Sequence, residues 1–212
     1  MIAIIDYGAG NLGSVTNAIN KLGYSLKVTH KPEDVLNAKA VILPGVGAAG
    51  DAMARLESMG MTSVIRQLIN EKRPLLAICV GLQILLSNTE EGGGHRCLNI
   101  IPGTVRRLPE GLKVPHMGWN QVKQQFNHPI FDRIPDDTNF YFVHSFYAAP
   151  DDKSVIAGIT DYSVPICSMI IKDNLIATQF HPEKSGNYGL RMYFNFLDMA
   201  LSGRQTWQEK LK

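Results

Sequence analysis

Cysteine is scarce in this chain. Its 212 residues include three, Cys79, Cys97 and Cys167, an odd number set far apart. This is not a disulfide framework, and it fits a reducing compartment. An excess of one charge is also missing. Lys and Arg total 21 against 19 Asp and Glu, a net +2 with no basic stripe, which argues against a dedicated nucleic-acid binder. No apolar run approaches the ~20 residues of a membrane-spanning helix. The opening Met1-Ile-Ala-Ile-Ile-Asp6 is too short for a signal-peptide core and carries no basic leader. The sequence therefore predicts a soluble, cytosolic protein with no membrane or nucleic-acid partner. The 11 prolines and 19 glycines are scattered and pool in no linker.

What is present is an ordinary globular composition, 45% apolar. At about 150 residues per domain the length suggests one domain. We expect it to span residues 1–202, followed by a loose polar tail over 203–212. Short runs at 2–5, 26–29, 40–43 and 75–78 read as strands, the first covered on both faces and the last buried. Helical patterns separate them: residues 15–22 with Ser14 as cap and Gly23 as stop, then 32–37, 61–71 and 82–86. Strands alternating with helices imply parallel pairing and right-handed crossovers. Beyond residue 100, strands are expected at 105–108, 119–123, 140–144, 155–160, 166–171 and 175–180. The Lys172-Asp173-Asn174 turn suggests a hairpin between the last two. An amphipathic helix over 190–201 closes the pattern. The expected fold is a three-layer α/β domain, its mostly parallel central sheet carrying an antiparallel extension.

The most informative segment is Leu75-Leu-Ala77-Ile-Cys79-Val80-Gly81-Leu-Gln83. A buried strand runs straight into a helix with a cysteine at the junction and small residues two positions either side. This is the layout of a nucleophile elbow, where a sharp turn lifts one side chain above the sheet edge. A helix N-terminus favours a thiolate, and the Val80 N–H is placed to hold an oxyanion. A buried structural cysteine is the competing reading of the elbow alone. A thiol that expels an amine needs a proton donor. Of six histidines, His181 stands out, in Gln179-Phe-His181-Pro182-Glu183. It ends a late strand, and strand C-termini of open α/β sheets converge on the active-site crevice. Glu183, two residues on in an extended chain, faces the same side and can fix the imidazole tautomer. A surface His-Pro-Glu turn is the alternative for that segment taken alone.

These two segments resemble the class I glutamine amidotransferases, the triad glutaminases, which carry a G-x-C-x-G-x-Q elbow and a late H-P-E. The departure is Ala77, where that family usually has glycine. Four further segments narrow the resemblance: Asp6-Tyr7-Gly8-Ala9-Gly10-Asn11-Leu12, Leu43-Pro44-Gly45-Val46-Gly47, Pro115-His116-Met117-Gly118-Trp119-Asn120 and Tyr141-Phe142-Val143-His144-Ser145. Together they look like the glutaminase subunits of imidazole glycerol phosphate synthases, over residues 2 to about 201.

The resemblance implies a flavodoxin-like fold, glutamine as substrate and no cofactor. It implies that Cys79 forms a thioester, that His181 protonates the leaving ammonia and that Glu183 orients His181. A second oxyanion donor would be the N–H of Val46 or Gly47. Gln83, one helical turn past Cys79, would hold the amino-acid end of the substrate, with Ser145 and Phe146 offering backbone contacts. Ammonia would pass to a (β/α)8-barrel cyclase subunit in a heterodimer of histidine biosynthesis. Asn11, Trp119, Tyr141, His144 and Lys184 are the candidates for the partner face or the ammonia path, and His116 is expected beside Trp119 on that face. For His144 a satisfied half-buried histidine is the rival reading, for Trp119 plain core, and for Lys184 an exposed lysine. Two other functions stay open: the same glutaminase chemistry feeding a sugar-aminating enzyme of surface polysaccharide synthesis, and a non-catalytic docking subunit. His95 and Cys97 lack the spaced pairs of a zinc site, so no metal is expected.

Overall fold

The computed structural model describes residues 1–8 and 11–201. The expected tail at 203–212 lies outside the described residues. The first half alternates strand and helix: β1 (Ile2–Ile5), α1 (Leu12–Lys21), β2 (Leu26–Thr29), α2 (Pro32–Leu36), β3 (Ala40–Leu43), α3 (Ala49–Ser58), α4 (Met61–Asn70), β4 (Leu75–Ile78) and the single turn α5 (Val80–Gln83). Short β5 (Asn88–Thr89) and β6 (His95–Arg96) follow, then β7 (Gly103–Arg107), β8 (His116–Gln124), β9 (Thr138–His144) and β10 (Phe146–Pro150). The chain ends through β11 (Ile156–Asp161), β12 (Pro165–Lys172), β13 (Leu175–Thr178) and α6 (Gly186–Leu201).

The strand order is β2-β1-β3-β4-β13-β12-β10-β7-β5-β6, with β11, β8 and β9 branching from β12. The five strands β2, β1, β3, β4 and β13 are parallel. From β1 the chain steps to one side for β2 and to the other for β3. Right-handed crossovers then place α1 on one face and α2 to α4 on the other. Accordingly α1 packs with α6, and α2 and α3 pack with α4. Strands β1, β3, β4 and β13 are buried along their whole length, as layers on both faces require. Lys172 pairs with Leu175 across the expected hairpin, and Asp173 takes the positive φ of 51° that its tight turn demands. Among the described residues no helix is long and apolar enough to cross a membrane.

Three local expectations are corrected. Helix α1 starts earlier than expected: Asn11, not Ser14, caps it, its side chain accepting from the Ser14 N–H at 3.4 Å. The apolar run at 82–86 does not continue as a helix. The carbonyls of Ile84, Leu85 and Leu86 accept instead from the backbone of residues 98–101, and α5 stops after one turn. Helix α3 and strand β10 were not expected. The buried side of α3 is Ala49, Ala52 and Leu56, too small a stripe to read from periodicity.

Candidate active site

Parallel strands β3, β4 and β13 end on one edge of the sheet, and each delivers part of a single cleft. Strand β4 turns into α5 at Cys79, which has φ 55° and ψ −108°. A side chain other than glycine in that region is strained and persists only where its surroundings fix it. Here the Cys79 N–H donates to the Thr178 carbonyl of β13 at 2.7 Å, and the Cys79 carbonyl accepts from Gln83 N at 3.1 Å. Close backbone packing explains the small flank. A Cβ on Gly81 would lie 2.4 Å from the Leu43 carbonyl, and one on Gly45 would lie 2.3 Å from the Gly81 nitrogen. The loop after β3 therefore rests directly on the elbow. Tyr7, at the end of β1, anchors that loop by donating its hydroxyl to the Pro44 carbonyl at 3.0 Å.

Beyond β13 the chain reaches His181. Its Nδ1 is 2.7 Å from Glu183 Oε1, and both side chains are 2% exposed. A carboxylate only accepts, so Nδ1 carries the hydrogen. The pairing arises differently from the expected extended segment. Strand β13 ends at Thr178, and Pro182–Lys184 forms a 3-10 turn that brings the carboxylate back to the ring. From α6, Tyr193 donates its hydroxyl to the other Glu183 oxygen at 3.4 Å. His181 Nε2 is buried and has no hydrogen-bond partner. Burial pushes the His181 pKa down, but Cys79 and Glu183 outweigh it and push it up to about 10. The site therefore favours a protonated imidazole once Cys79 Sγ has given up its hydrogen.

Cys79 and His181 line one cavity of about 320 Å³ together with Val46, Gly47, Val80 and Gln83. Val80 opens α5, so its N–H has no intrahelical acceptor. Gly47 sits at φ 85°, a conformation glycine adopts without strain. Ser145, Phe146 and His144 line the same cavity. The carbonyl of Phe146 accepts from both Gln83 Nε2 and His144 Nδ1, each at 2.9 Å. It therefore anchors Gln83 and His144, and both of its lone pairs are engaged. Two residues that sequence reasoning did not single out also belong here. Glu91 lines the cavity and accepts from the Ala49 N–H at 2.7 Å, capping α3 from the glycine-rich loop. Gln179 is fully buried, with Nε2 3.6 Å from Cys79 Sγ. Its one sequence signal is a glutamine inside an otherwise apolar strand pattern.

The remaining candidates separate into two groups. His144 is buried and its Nε2 meets Nδ1 of His116 at 2.9 Å. Burial pushes both histidines down to about 4, leaving them neutral at pH 7. His116 does not stand on the outer face as expected. It stacks on Tyr162 and Phe142, with ring centroids 3.9 and 4.9 Å away. Trp119 does face outward, 57% exposed. Its ring is 6.1 Å from that of Tyr141, and Lys184 Nζ lies 5.7 Å over the other ring. Asn11 is occupied in capping α1. Among the described residues, no group of three or more His, Cys, Asp or Glu is placed to hold a metal ion.

The family model for class-I glutamine amidotransferases matches residues 3–200. The chain belongs to the class-I glutamine amidotransferase family. Within it, this amidotransferase is 58% identical over 205 residues to a Dehalococcoides mccartyi protein named imidazole glycerol phosphate synthase subunit HisH, covering 97% of this chain and 100% of the relative. The subunit of the same name from Chloroflexus aurantiacus is 54% identical, with 93% and 95% covered. Among solved structures, a glutamine amidotransferase superposes with a TM-score of 0.74 at 18% identity, covering 94% of this chain and 99% of that one. PurLQS from Thermotoga maritima gives 0.73 at 16% identity, with 93% and 97% covered. Both share the fold of this amidotransferase.

Proposed function

We propose that this chain is the glutaminase subunit of a cytosolic imidazole glycerol phosphate synthase. It hydrolyses glutamine at Cys79 and passes the ammonia to a (β/α)8-barrel cyclase subunit. The reaction starts when the Cys79 Sγ proton moves to His181 Nε2. The thiolate attacks the side-chain amide carbon, and the oxyanion is held by the Val80 N–H and the N–H of Val46 or Gly47. His181 gives its proton to the leaving nitrogen, ammonia departs and a thioester remains. Water, deprotonated by His181, then releases glutamate. Glu183 holds the Nδ1–H tautomer throughout. Gln83, Ser145 and Phe146 shape the amino-acid end of the pocket, where Glu91 offers a carboxylate to the substrate's ammonium.

The observation that carries this reading is His181 itself. One ring nitrogen is bound to Glu183 at 2.7 Å, and the other is buried, unpartnered and beside the cavity that holds Cys79. The HisH names of close relatives favour the histidine pathway over sugar amination. A partner is needed because free ammonia becomes unreactive ammonium in water at pH 7. The exposed Met117, Trp119 and Lys184 with half-buried Tyr141, together with Asn11, offer it a docking face, and buried His144 borders the route between. Three unpaired cysteines suit the cytosol. The test is reconstitution with a candidate cyclase. Cys79→Ser should abolish glutamine-dependent synthesis and spare synthesis from ammonium salts. Loss of both, or of neither, overturns the assignment.

A further inference from the structure

We propose that Gln179 is a further catalytic residue, donating its side-chain amide to Cys79 Sγ and holding the thiolate in line for attack. This rests on the reading of Cys79 as the nucleophile. The Phe146 carbonyl can only accept. Gln83 meets it through Nε2 at 2.9 Å, so the orientation of that amide is fixed. The same nitrogen is 3.2 Å from Gln179 Oε1. The other end of Gln179 must then be its NH2 group, 3.6 Å from Cys79 Sγ. Turning the Gln179 amide over would set two NH2 groups against each other with no acceptor between them. One backbone carbonyl thus sets the polarity of two amides and aims a donor at the sulfur.

Gln179 has no freedom to swing away. It is fully buried, and its backbone N–H donates to the Ser168 carbonyl at 2.9 Å. A thiol is a poor acceptor for such a donor, whereas a thiolate is a good one. In the thiol form Sγ carries a hydrogen and lies 4.0 Å from the Val143 carbonyl oxygen. When that proton passes to His181 Nε2, the electron pair stays on sulfur and the carbonyl becomes repulsive. Gln179 then faces the new anion with a hydrogen already in place. The other titratable neighbours are His181, backed by Glu183, and Tyr7, whose hydroxyl is given to Pro44 and which has Arg55 beside it.

The test uses the full chain, alone and with its cyclase. Cys79 alkylation by iodoacetamide is followed by mass spectrometry of the Cys79 peptide, and kcat and KM for glutamine are measured in the complex. Gln179→Leu should slow alkylation about tenfold and lower kcat by a similar factor, with KM within about threefold. Gln179→Glu, of the same size, should lower both further, because an acceptor then faces the sulfur. Ammonium-driven synthesis should stay at the wild-type rate in both, reporting intact folding and docking. Wild-type alkylation and kcat in either variant would overturn the proposal. So would a rise in KM alone, which would make Gln179 a mere prop for Gln83. Iodoacetamide needs no glutamine pocket, so the two readings fail separately. Slower alkylation in variants of a chain that hydrolyses no glutamine would sink the glutaminase assignment and keep only the Gln179 hydrogen bond to a reactive sulfur. Wild-type alkylation in variants of an active glutaminase would do the reverse.

Discussion

Along β1, β3, β4 and β13 every residue is buried, whereas along β8 buried His116 and Val122 share the strand with Met117 and Trp119, 60% and 57% exposed. A parallel strand covered on both faces has no free side, so it contributes function only where it ends. Hence the candidate site collects at the C-terminal edge, in Cys79, the 44–47 loop and His181. The antiparallel hairpin keeps one face open and offers a surface along its length. The two regions meet at Tyr141. Its carbonyl accepts from the His181 N–H at 2.9 Å, while its ring stands between Trp119 and Lys184. On the proposed reading, a partner resting on that ring would press on the strand that positions the His181 imidazole.

The sharpest way to separate the regions is to disable one chemically. Glu183→Gln keeps the shape of the His181 contact but removes its charge and its hold on the Nδ1–H tautomer. The expected result is a fall in kcat for glutamine hydrolysis of about 10³- to 10⁴-fold. Affinity for the cyclase should not change, because Glu183 lies under the surface, touching His181 and Tyr193. Steady-state glutamate release and titration calorimetry check the two halves of that statement. A weakened complex would mean that the edge and the hairpin are not separable.

The two regions also differed in how far the sequence revealed them. Four-residue runs such as Leu75 to Ile78 have a single structural solution once helices flank them, and the strands of the parallel half lie where those runs predict. The elbow and the His-Pro-Glu segment carry their signal in adjacent residues, so the placing of Cys79 and His181 on one cavity and the His181–Glu183 contact were legible too. The hidden features depend on contacts remote in the chain. Gln179 acquires its meaning from Gln83 and Phe146, and Glu91 from the start of α3. The end of α5 is set by backbone donors at 98–101, which outbid continuation of the helix. His116 was expected on the partner face beside Trp119, yet it is buried. Nothing local announced that Tyr162, from the β11–β12 connection, would stack over it.

A change on the hairpin should leave the edge untouched. Trp119→Ala removes a large, exposed aromatic side chain, and aromatic anchors of this kind dominate interface energetics. We expect the dissociation constant with the cyclase to rise about 30-fold, close to 2 kcal/mol. Iodoacetamide alkylation of Cys79 in the free chain should match wild type, and thermal stability should change little, since Trp119 contributes no buried core. Unchanged affinity would move the docking face away from β8.

The smallest effect distinguishes the regions by pH. His144 of β9 has its pKa pushed down from 6.5 to about 4, by burial first, with His116 and His181 adding and the Phe146 carbonyl opposing. Between those values the unfolded chain binds a proton that the folded chain refuses. Stability therefore falls as pH drops through that window, by at most ~1.4 kcal/mol per pH unit from this side chain. His181 carries the opposite sign. Its folded value of about 10 exceeds the unfolded 6.5, so its contribution is complete below 6.5 and is lost as pH climbs toward 10. Urea midpoints measured from pH 4 to 10 should show both limbs. In His144→Gln the acid limb should flatten while the alkaline limb keeps its slope. An acid limb as steep as wild type would assign the acid sensitivity elsewhere, and a flattened alkaline limb would show that the hairpin and the catalytic edge titrate as one unit.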